Sequence, residues 1–315
     1  MRIDEDRVIE LFKTKDNILI LTHENPDGDT LGCGVALCHV LISMGKKARV
    51  ENSDEIPSLY AYLFENLEKM DFKEEFIVAV DIADTKLLGE RLENLYADKI
   101  DLCIDHHSSN MGYAKELLLR EKDGAAALTL YRVLKKMGAT ITKEIATALY
   151  TGLSTDTGCF RYANANAEAY RVGADLIEYG ANNAEINIKM FETKPIEYFK
   201  LITEVLKGMR MFLDNKVVVL KVTQEMLDKT GALSEYYDAI ATLSRQVEGT
   251  LCGITMKENS EGGYKFSLRT HDSIDAAALC SAFGGGGHIR AAGCEIEGDE
   301  EEALLKMLKL IEEQL

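Results

Sequence analysis

The residues best suited to chemistry stand at the carboxyl ends of short apolar runs. The first run, ILILTH, leads into His23-Glu24-Asn25-Pro26-Asp27-Gly28-Asp29, which puts one imidazole and two carboxylates within seven residues on a loop shaped by Gly and Pro. The second, FIVAVDIA, carries Asp81 after the five residues Phe76 to Val80, where an unpaired carboxylate would be costly to bury. The third, IDLCID, ends in Asp105-His106-His107, and a fourth cluster, Ser154-Thr155-Asp156-Thr157-Gly158, closes an apolar helical pattern over 143–156. Carboxylates crowded with imidazoles repel one another, and bound divalent cations are the simplest neutraliser. Mixed His and carboxylate donors without thiolate disfavour structural zinc and suit Mn2+, with Mg2+, Co2+ or Fe2+ as alternatives. With this many donors, two ions about 4 Å apart sharing one carboxylate would both activate a water and stabilise an in-line displacement at phosphorus.

The elements that must position these groups read as strands alternating with helices. KARVEN (47–52) joins the three runs above as a fourth strand, and segments such as 87–95 suit short helices. The expectation is an α/β fold with a parallel sheet covered by helices on both faces, its ligand crevice lying outside the carboxyl ends of the strands. After residues 115–120 the pattern turns helical over 124–137, 143–156, 166–179, 184–192 and 195–213. The last run begins at Pro195, where a helix tolerates proline, and ends at Asp214-Asn215, so it reads as a connector. Beyond it, strands are expected at 216–223, 250–258 and 264–270 and helices at 235–247, 274–282 and 300–314, a smaller α+β domain. The division expected is 1–193 for a catalytic metal-binding domain, 194–214 for a helical linker and 215–315 for a substrate-binding domain.

The chain has 315 residues, 46% hydrophobic and 28% charged, ordinary globular usage that suits two domains and excludes disorder and disulfide scaffolds. Its 53 acidic against 36 basic residues give a net charge of -17, which argues against binding long duplex nucleic acid. The start is charged, with no apolar signal core, and no apolar run approaches the ~18 residues that span a bilayer. Seven cysteines without a CxxC pair lie mostly in apolar runs and read as reduced core thiols. A cytoplasmic protein without membrane contact is expected, and His39 and His271 read as structural or surface residues.

Phe283-Gly284-Gly285-Gly286-Gly287-His288-Ile289-Arg290-Ala291-Ala292-Gly293 follows a helical pattern and precedes a strand. It is not GxxxxGK[ST], and GxGxxG fails because Ile289 takes the last glycine position, so neither a triphosphate loop nor a dinucleotide fingerprint is supported. Consecutive glycines let a ligand approach bare backbone N–H groups, with His288 and Arg290 able to meet an anion.

The series HENPDGD, VAVD, DHH and STDTG across residues 18–158 resembles the motif order of the DHH phosphoesterases, and GGGGH-x-x-AAG resembles the signature of their DHHA1 domain. The resemblance implies that His23 and Asp27 hold one cation and Asp29, His106 and Asp156 a second. Asp81 would bridge them, His107 would face the substrate phosphate and Asp105 would orient the site. Catalysis would then rest on Asp81, His106 and His107, with a hydroxide bridging two divalent cations, Mn2+ preferred, as the attacking group. It also implies that the small domain closes over the metal site and grips the nucleotide end of the substrate through Gly285, Gly286 and His288, with Arg245 and Arg269 as phosphate or base contacts. A two-domain chain without further modules resembles the stand-alone, NrnA-type branch. Its members cleave short oligoribonucleotides (nanoRNA, pApA) to mononucleotides and dephosphorylate 3'-phosphoadenosine 5'-phosphate (pAp). The alternatives are a cyclic di-nucleotide (c-di-AMP) phosphodiesterase and a nucleotide-binding sensor without turnover; a RecJ-like exonuclease is disfavoured by length and charge. The chain departs from the usual pattern at Ile289-Arg290, where Arg then Asn is more common. A homodimer is the expected state.

Overall fold

The computed structural model describes residues 1–233, 236–259, 262–271 and 274–315, the side chain of Asp238 excepted. The chain divides into two compact units, Met1–Thr193 and Lys194–Leu315.

The first unit runs α1 (Glu5–Thr14), β1 (Ile18–Leu21), α2 (Gly28–Ser43), β2 (Ala48–Glu51), β3 (Phe76–Val80), α3 (Gly89–Tyr96), β4 (Leu102–Asp105), β5 (Glu116–Leu119), α4 (Ala126–Met137), α5 (Lys143–Asp156), α6 (Ala167–Glu178) and α7 (Asn183–Asn187). Its five strands are all parallel, in the order β2-β1-β3-β4-β5. Alternate residues of each strand enter opposite layers, because the side-chain period is two. Ile18, Ile20, Val78 and Val80 pack with α1, α2, α4, α5 and α6. Leu19, Leu21, Ile77 and Ala79 pack with α3 on the other face. Helices thus cover both faces. The chain leaves β1 outward to β2 and returns to β3 on the opposite side of β1, which makes the gap between the carboxyl ends of β1 and β3 the topological switch point where such sheets bind ligands.

The second unit runs α8 (Ile196–Lys207), β6 (Arg210–Phe212), β7 (Val217–Val222), α9 (Gln224–Thr230), α10 (Tyr237–Ala241), β8 (Cys252–Glu258), β9 (Tyr264–Thr270), α11 (Ala276–Ser281), β10 (Gly286–His288), β11 (Ala291–Ile296) and α12 (Glu300–Glu312). Its six strands lie in the order β10-β11-β9-β8-β7-β6, with only β7 and β8 parallel. Helices α11 and α12 cover one face. Helices α8, α9 and α10 cover the other.

Four expectations differ from the structure. The glycine run expected to expose bare backbone N–H groups instead includes strand β10, paired with β11, and the Gly285 N–H donates to the Cys280 carbonyl at 3.0 Å. The helix expected over 195–213 ends at Lys207, and Arg210–Phe212 pairs with β7 as edge strand β6. Gly208 stops the helix, and pairing with β7 then claims residues whose spacing alone could have continued it. Residues 116–119, read only as a prelude to the helices, form β5. The helix expected over 235–247 is α10 followed by a 3-10 turn at Leu243–Gln246, and its expected first residue, Glu235, lies outside the described residues.

Candidate metal centre

Each group at the switch point is set by the element it ends or begins. His23 follows β1, and its Nδ1 bonds the carbonyl of Glu24 at 2.7 Å, which leaves Nε2 to face the cluster. Asp27 caps α2, its Oδ1 accepting the N–H groups of Asp29 and Thr30 at 2.9 and 3.1 Å. Asp29 lies in the first turn of α2, fully buried, and accepts the amides of Ala126 and Ala127 at 2.6 and 2.9 Å at the start of α4, whose helix dipole favours a carboxylate. Asp81 comes directly after β3 with a φ of 60°, a left-handed backbone uncommon outside glycine, and its N–H is held by the carbonyl of Ile104 at 2.9 Å. His106 follows β4; its Nδ1 meets the carbonyl of Asp123 at 3.0 Å, so again Nε2 is turned to the centre. Asp156 is the last residue of α5.

These side chains meet. His23 Nε2 lies 3.5 Å from Asp27 and 4.0 Å from Asp81, while His106 Nε2 lies 3.2 Å from Asp156, 3.4 Å from Asp81 and 4.0 Å from Asp29. They form two groups of metal-ligand geometry, His23 with Asp27 and Asp81, and Asp29 with His106 and Asp156; a third joins Asp81 to His106 and His107. Glycines permit the approach of α2 to α5: a Cβ on Gly28 would stand 2.4 Å from the Thr155 hydroxyl, and one on Gly152 2.6 Å from an Asp29 oxygen.

Burial and mutual repulsion dominate the electrostatics of the carboxylates. Burial raises the Asp29 carboxyl to about 7, with the charge of Asp81 adding to the effect. Burial likewise raises Asp81 and Asp156, against the pull of the imidazole of His106. Burial would lower His23, but the hydrogen bond and charge of Asp27 and the charge of Asp81 outweigh it and lift the imidazole to about 9. His106 is raised in the same way by its carboxylate neighbours. Two buried atoms in this cluster, Asp81 Oδ1 and His106 Nε2, have no hydrogen-bond partner. Unsatisfied donor atoms facing each other among carboxylates fit a pair of divalent cations, and the oxygen and nitrogen donor set fits Mn2+ or Mg2+.

Asp105 is fully buried behind this cluster. It accepts the N–H groups of His106 and His107 at 2.7 and 3.2 Å, His107 Nδ1 at 2.8 Å and Asn110 Nδ2 at 2.6 Å. Burial would lower His107, and the bond from Asp105 with the charge of Asp81 raises it instead.

In the second unit, His288 of β10 pairs with Ala291 of β11, which pairs with Arg269 of β9, which pairs with Gly253 of β8. Residues paired across a sheet share a face, so His288 and Arg269 stand on one row of one face. The turn carrying Arg245 packs on the same row, since a Cβ on Gly253 would meet neighbouring Ser244 at 2.3 Å. Gly285 lies against β11, where a Cβ would fall 2.2 Å from the Gly293 carbonyl, and Gly286 has open space around it.

Sequence reasoning missed Asn110, Tyr60, the Asp123 carbonyl, the amides of Ala126 and Ala127, and Asn164, whose Nδ2 bonds the carbonyls of Gly124 and Asp156. The Tyr60 hydroxyl is buried against the Gly28 N–H beside Asp27.

A parallel sheet that gathers two imidazoles and four carboxylates at its switch point defines a metal-binding hydrolase of the α/β class. The DHH family N-terminal domain matches residues 17–153 and the DHHA1 domain residues 214–315. The chain is 31% identical, over 98% of its own length and 93% of the relative's, to the bifunctional oligoribonuclease and PAP phosphatase NrnA of Thermus thermophilus. An exopolyphosphatase-related protein of Bacteroides fragilis has the same fold at 24% identity, with a TM-score of 0.90 over 98% of this chain and 95% of that one. The RecJ structure of Thermus thermophilus in complex with Mn2+ matches at 14% identity and a TM-score of 0.52, over 97% of this chain and 53% of that one. The chain belongs to the DHH family, in the branch that carries a DHHA1 domain, and is a phosphoesterase. Among the described residues no helix is long and apolar enough to cross a membrane.

Proposed function

We propose that this protein hydrolyses short oligoribonucleotides such as nanoRNA and pApA to mononucleotides, and pAp to AMP, using two divalent cations, Mn2+ by preference. The observation that carries the reading is the pair of donor groups at the switch point, sharing the neighbourhood of Asp81 and containing two buried ligand atoms without partners. The relative named for oligoribonuclease and PAP phosphatase activity supports the choice of substrates. His23 and Asp27 would hold one cation, Asp29, His106 and Asp156 the other, and Asp81 both. Bound there, the cations supply an activated water and neutralise charge at phosphorus.

The chain's own residues do the rest. Asp105 fixes the His107 ring through Nδ1, so that His107 offers its other nitrogen as a donor to a phosphoryl oxygen. Asp81 follows β3 directly in a left-handed backbone, and its carboxylate lies with His23 and Asp27 on one side and His106 and His107 on the other. Arg245, Arg269 and His288, with Gly285 and Gly286, would bind the nucleotide end of the substrate. The reading places the protein in the cytoplasm as a homodimer acting on small nucleotides.

The test is product release from pApA, a ribo-trimer, pAp, c-di-AMP and pyrophosphate, each with Mn2+ and with chelator. Cleavage of pApA, the trimer and pAp but not pyrophosphate, abolished by chelator, is expected. Turnover of c-di-AMP alone would reassign the substrate, and tight binding without turnover would make the protein a sensor.

A further inference from the structure

One short segment, Asp123–Ala127, is tied to all three members of the second donor group, each time through its backbone. The Asp123 carbonyl meets His106 Nδ1 at 3.0 Å, and the N–H groups of Ala126 and Ala127 reach the two oxygens of Asp29. The Asn164 amide joins the Gly124 carbonyl, at 3.0 Å, to the Asp156 carbonyl, at 3.1 Å. A Cβ on Gly124 would stand 2.5 Å from the Asn164 carbonyl, so the two segments lie back to back. Where this backbone sits therefore sets where the ligand atoms of His106 and Asp29 point.

The segment is held at its first residue. One carboxylate oxygen of Asp123, whose side chain is 8% exposed, accepts the Thr129 hydroxyl and Nη2 of Arg132. The same guanidinium reaches Glu168 of α6 through Nη1 at 2.9 Å, and its Nε lies 3.7 Å from Glu5 of α1. A planar fork bonded to both Asp123 and Glu168, and paired in charge with Glu5, fixes Asp123 in a way a point charge cannot.

We propose that Arg132 is a positioning residue for the second cation: it fixes Asp123 and, through the Asp123–Ala127 backbone, the orientation of His106 and Asp29. This rests on the two-cation reading above. A partner beyond the ligands themselves typically contributes roughly 10–100-fold to metal affinity. An ion-pair network that serves only to hold α1, α4 and α6 together would affect folding and leave the cations alone.

The experiment is a calorimetric Mn2+ titration of the full chain with electron paramagnetic resonance of the same samples, on the wild type, R132M, R132K and K136M. Lys136 sits one turn further along α4 and pairs with Asp6 and Glu5, not with Asp123, so K136M controls for loss of charge on this helix. The wild type should bind two ions with an exchange-coupled spectrum. R132M should weaken the second ion by roughly 10–100-fold while leaving the first near its wild-type affinity, giving the spectrum of isolated Mn2+ at intermediate loading. R132K should fall between, and K136M should match the wild type. If R132M melts earlier yet binds both ions normally, the proposal is overturned. Should R132M not fold, Asp123→Asn keeps the carbonyl but loosens the anchor, and unchanged second-ion affinity there would overturn it equally. A wild type that binds fewer than two ions would instead remove the two-cation reading itself.

Discussion

Asp81 combines a buried charge with a left-handed backbone, and asparagine is the replacement of the same shape that removes the first and tolerates the second. In the metal-free protein burial, with the charge of Asp27 adding to it, disfavours its carboxylate and the imidazole of His106 offsets only part of this, so its neutralisation removes a net cost. Asp81→Asn should therefore melt at a higher temperature than the wild type without metal, yet gain little from Mn2+ and lose more than the ~100-fold in turnover typical of disturbing an outer partner. A variant that hydrolyses pApA at the wild-type rate would remove Asp81 from the centre. The protons at this centre also make a prediction with a definite sign. His23 is lifted from 6.5 to about 9, so the stability it contributes is full below 6.5 and lost as pH rises through 9. Asp29 is lifted from 3.8 to about 7, so its contribution is full below 3.8 and lost as pH rises through 7. Both shifts make the metal-free fold weaker toward alkaline pH, and both protons must leave before a cation can bind. Mn2+ affinity should rise between pH 6 and 9, with protons released on binding, as calorimetry in buffers of different ionisation enthalpy would show. An affinity flat across that range would contradict the assignment of these two ligands.

The approach of α2 to α5 is what brings Asp29 and Asp156 within reach of one imidazole. Gly32 lets the backbones meet, since a Cβ there would fall 2.3 Å from the Ala148 carbonyl, and Gly152 leaves room for the Asp29 carboxylate. Gly32→Ala should cost ~1–3 kcal/mol by overpacking, measured by urea unfolding of the metal-free protein, and Gly152→Ala should in addition weaken Mn2+ binding by displacing Asp29. Equal Mn2+ affinities in both variants would show that α2 yields without moving the ligand. The strands that end in these ligands were legible because buried parallel strands read as unbroken apolar runs closed by Gly, Pro or acidic residues, as in ILILTH and FIVAVDIA. Strand β5, ELLL, ends in no candidate ligand and leads straight into the helical pattern of α4, so it was absorbed into its surroundings. Strand β6 was hidden because Met211 and Phe212 continue the apolar spacing of α8 past Gly208, and only pairing with β7 decides between helix and strand. The residues of the donor cluster were legible as charged residues in costly places. Asn110, Asp123 and Asn164 were not, because they act through single amides and carbonyls that find their targets only when distant loops have folded together.

At the scale of the whole molecule, a net charge of -17 sets what kind of polyanion the protein accepts. Such a surface repels a long phosphate backbone, so on the proposed reading the positive charge that draws a substrate would come from the cations and a few side chains such as Arg245, Arg269 and His288. The number of phosphates engaged can be read from salt dependence. With about two single-strand phosphate contacts, raising monovalent salt from 50 to 200 mM lowers affinity by roughly sevenfold, whereas about eight contacts along a basic track would lower it by roughly three orders of magnitude. For pApA the smaller loss is expected. A ribo-oligonucleotide of some twenty residues should bring no added salt sensitivity and a lower kcat/KM than pApA, because its extra phosphates meet no compensating charge and lie against an acidic surface. Measuring kcat/KM for the dimer and the long strand at both salt concentrations, with Mn2+ held constant, separates the two cases. A long strand cleaved as efficiently as the dimer, with a steep salt dependence, would mean that a basic track exists despite the overall charge, and the protein would then be a processive exonuclease rather than an enzyme of short fragments.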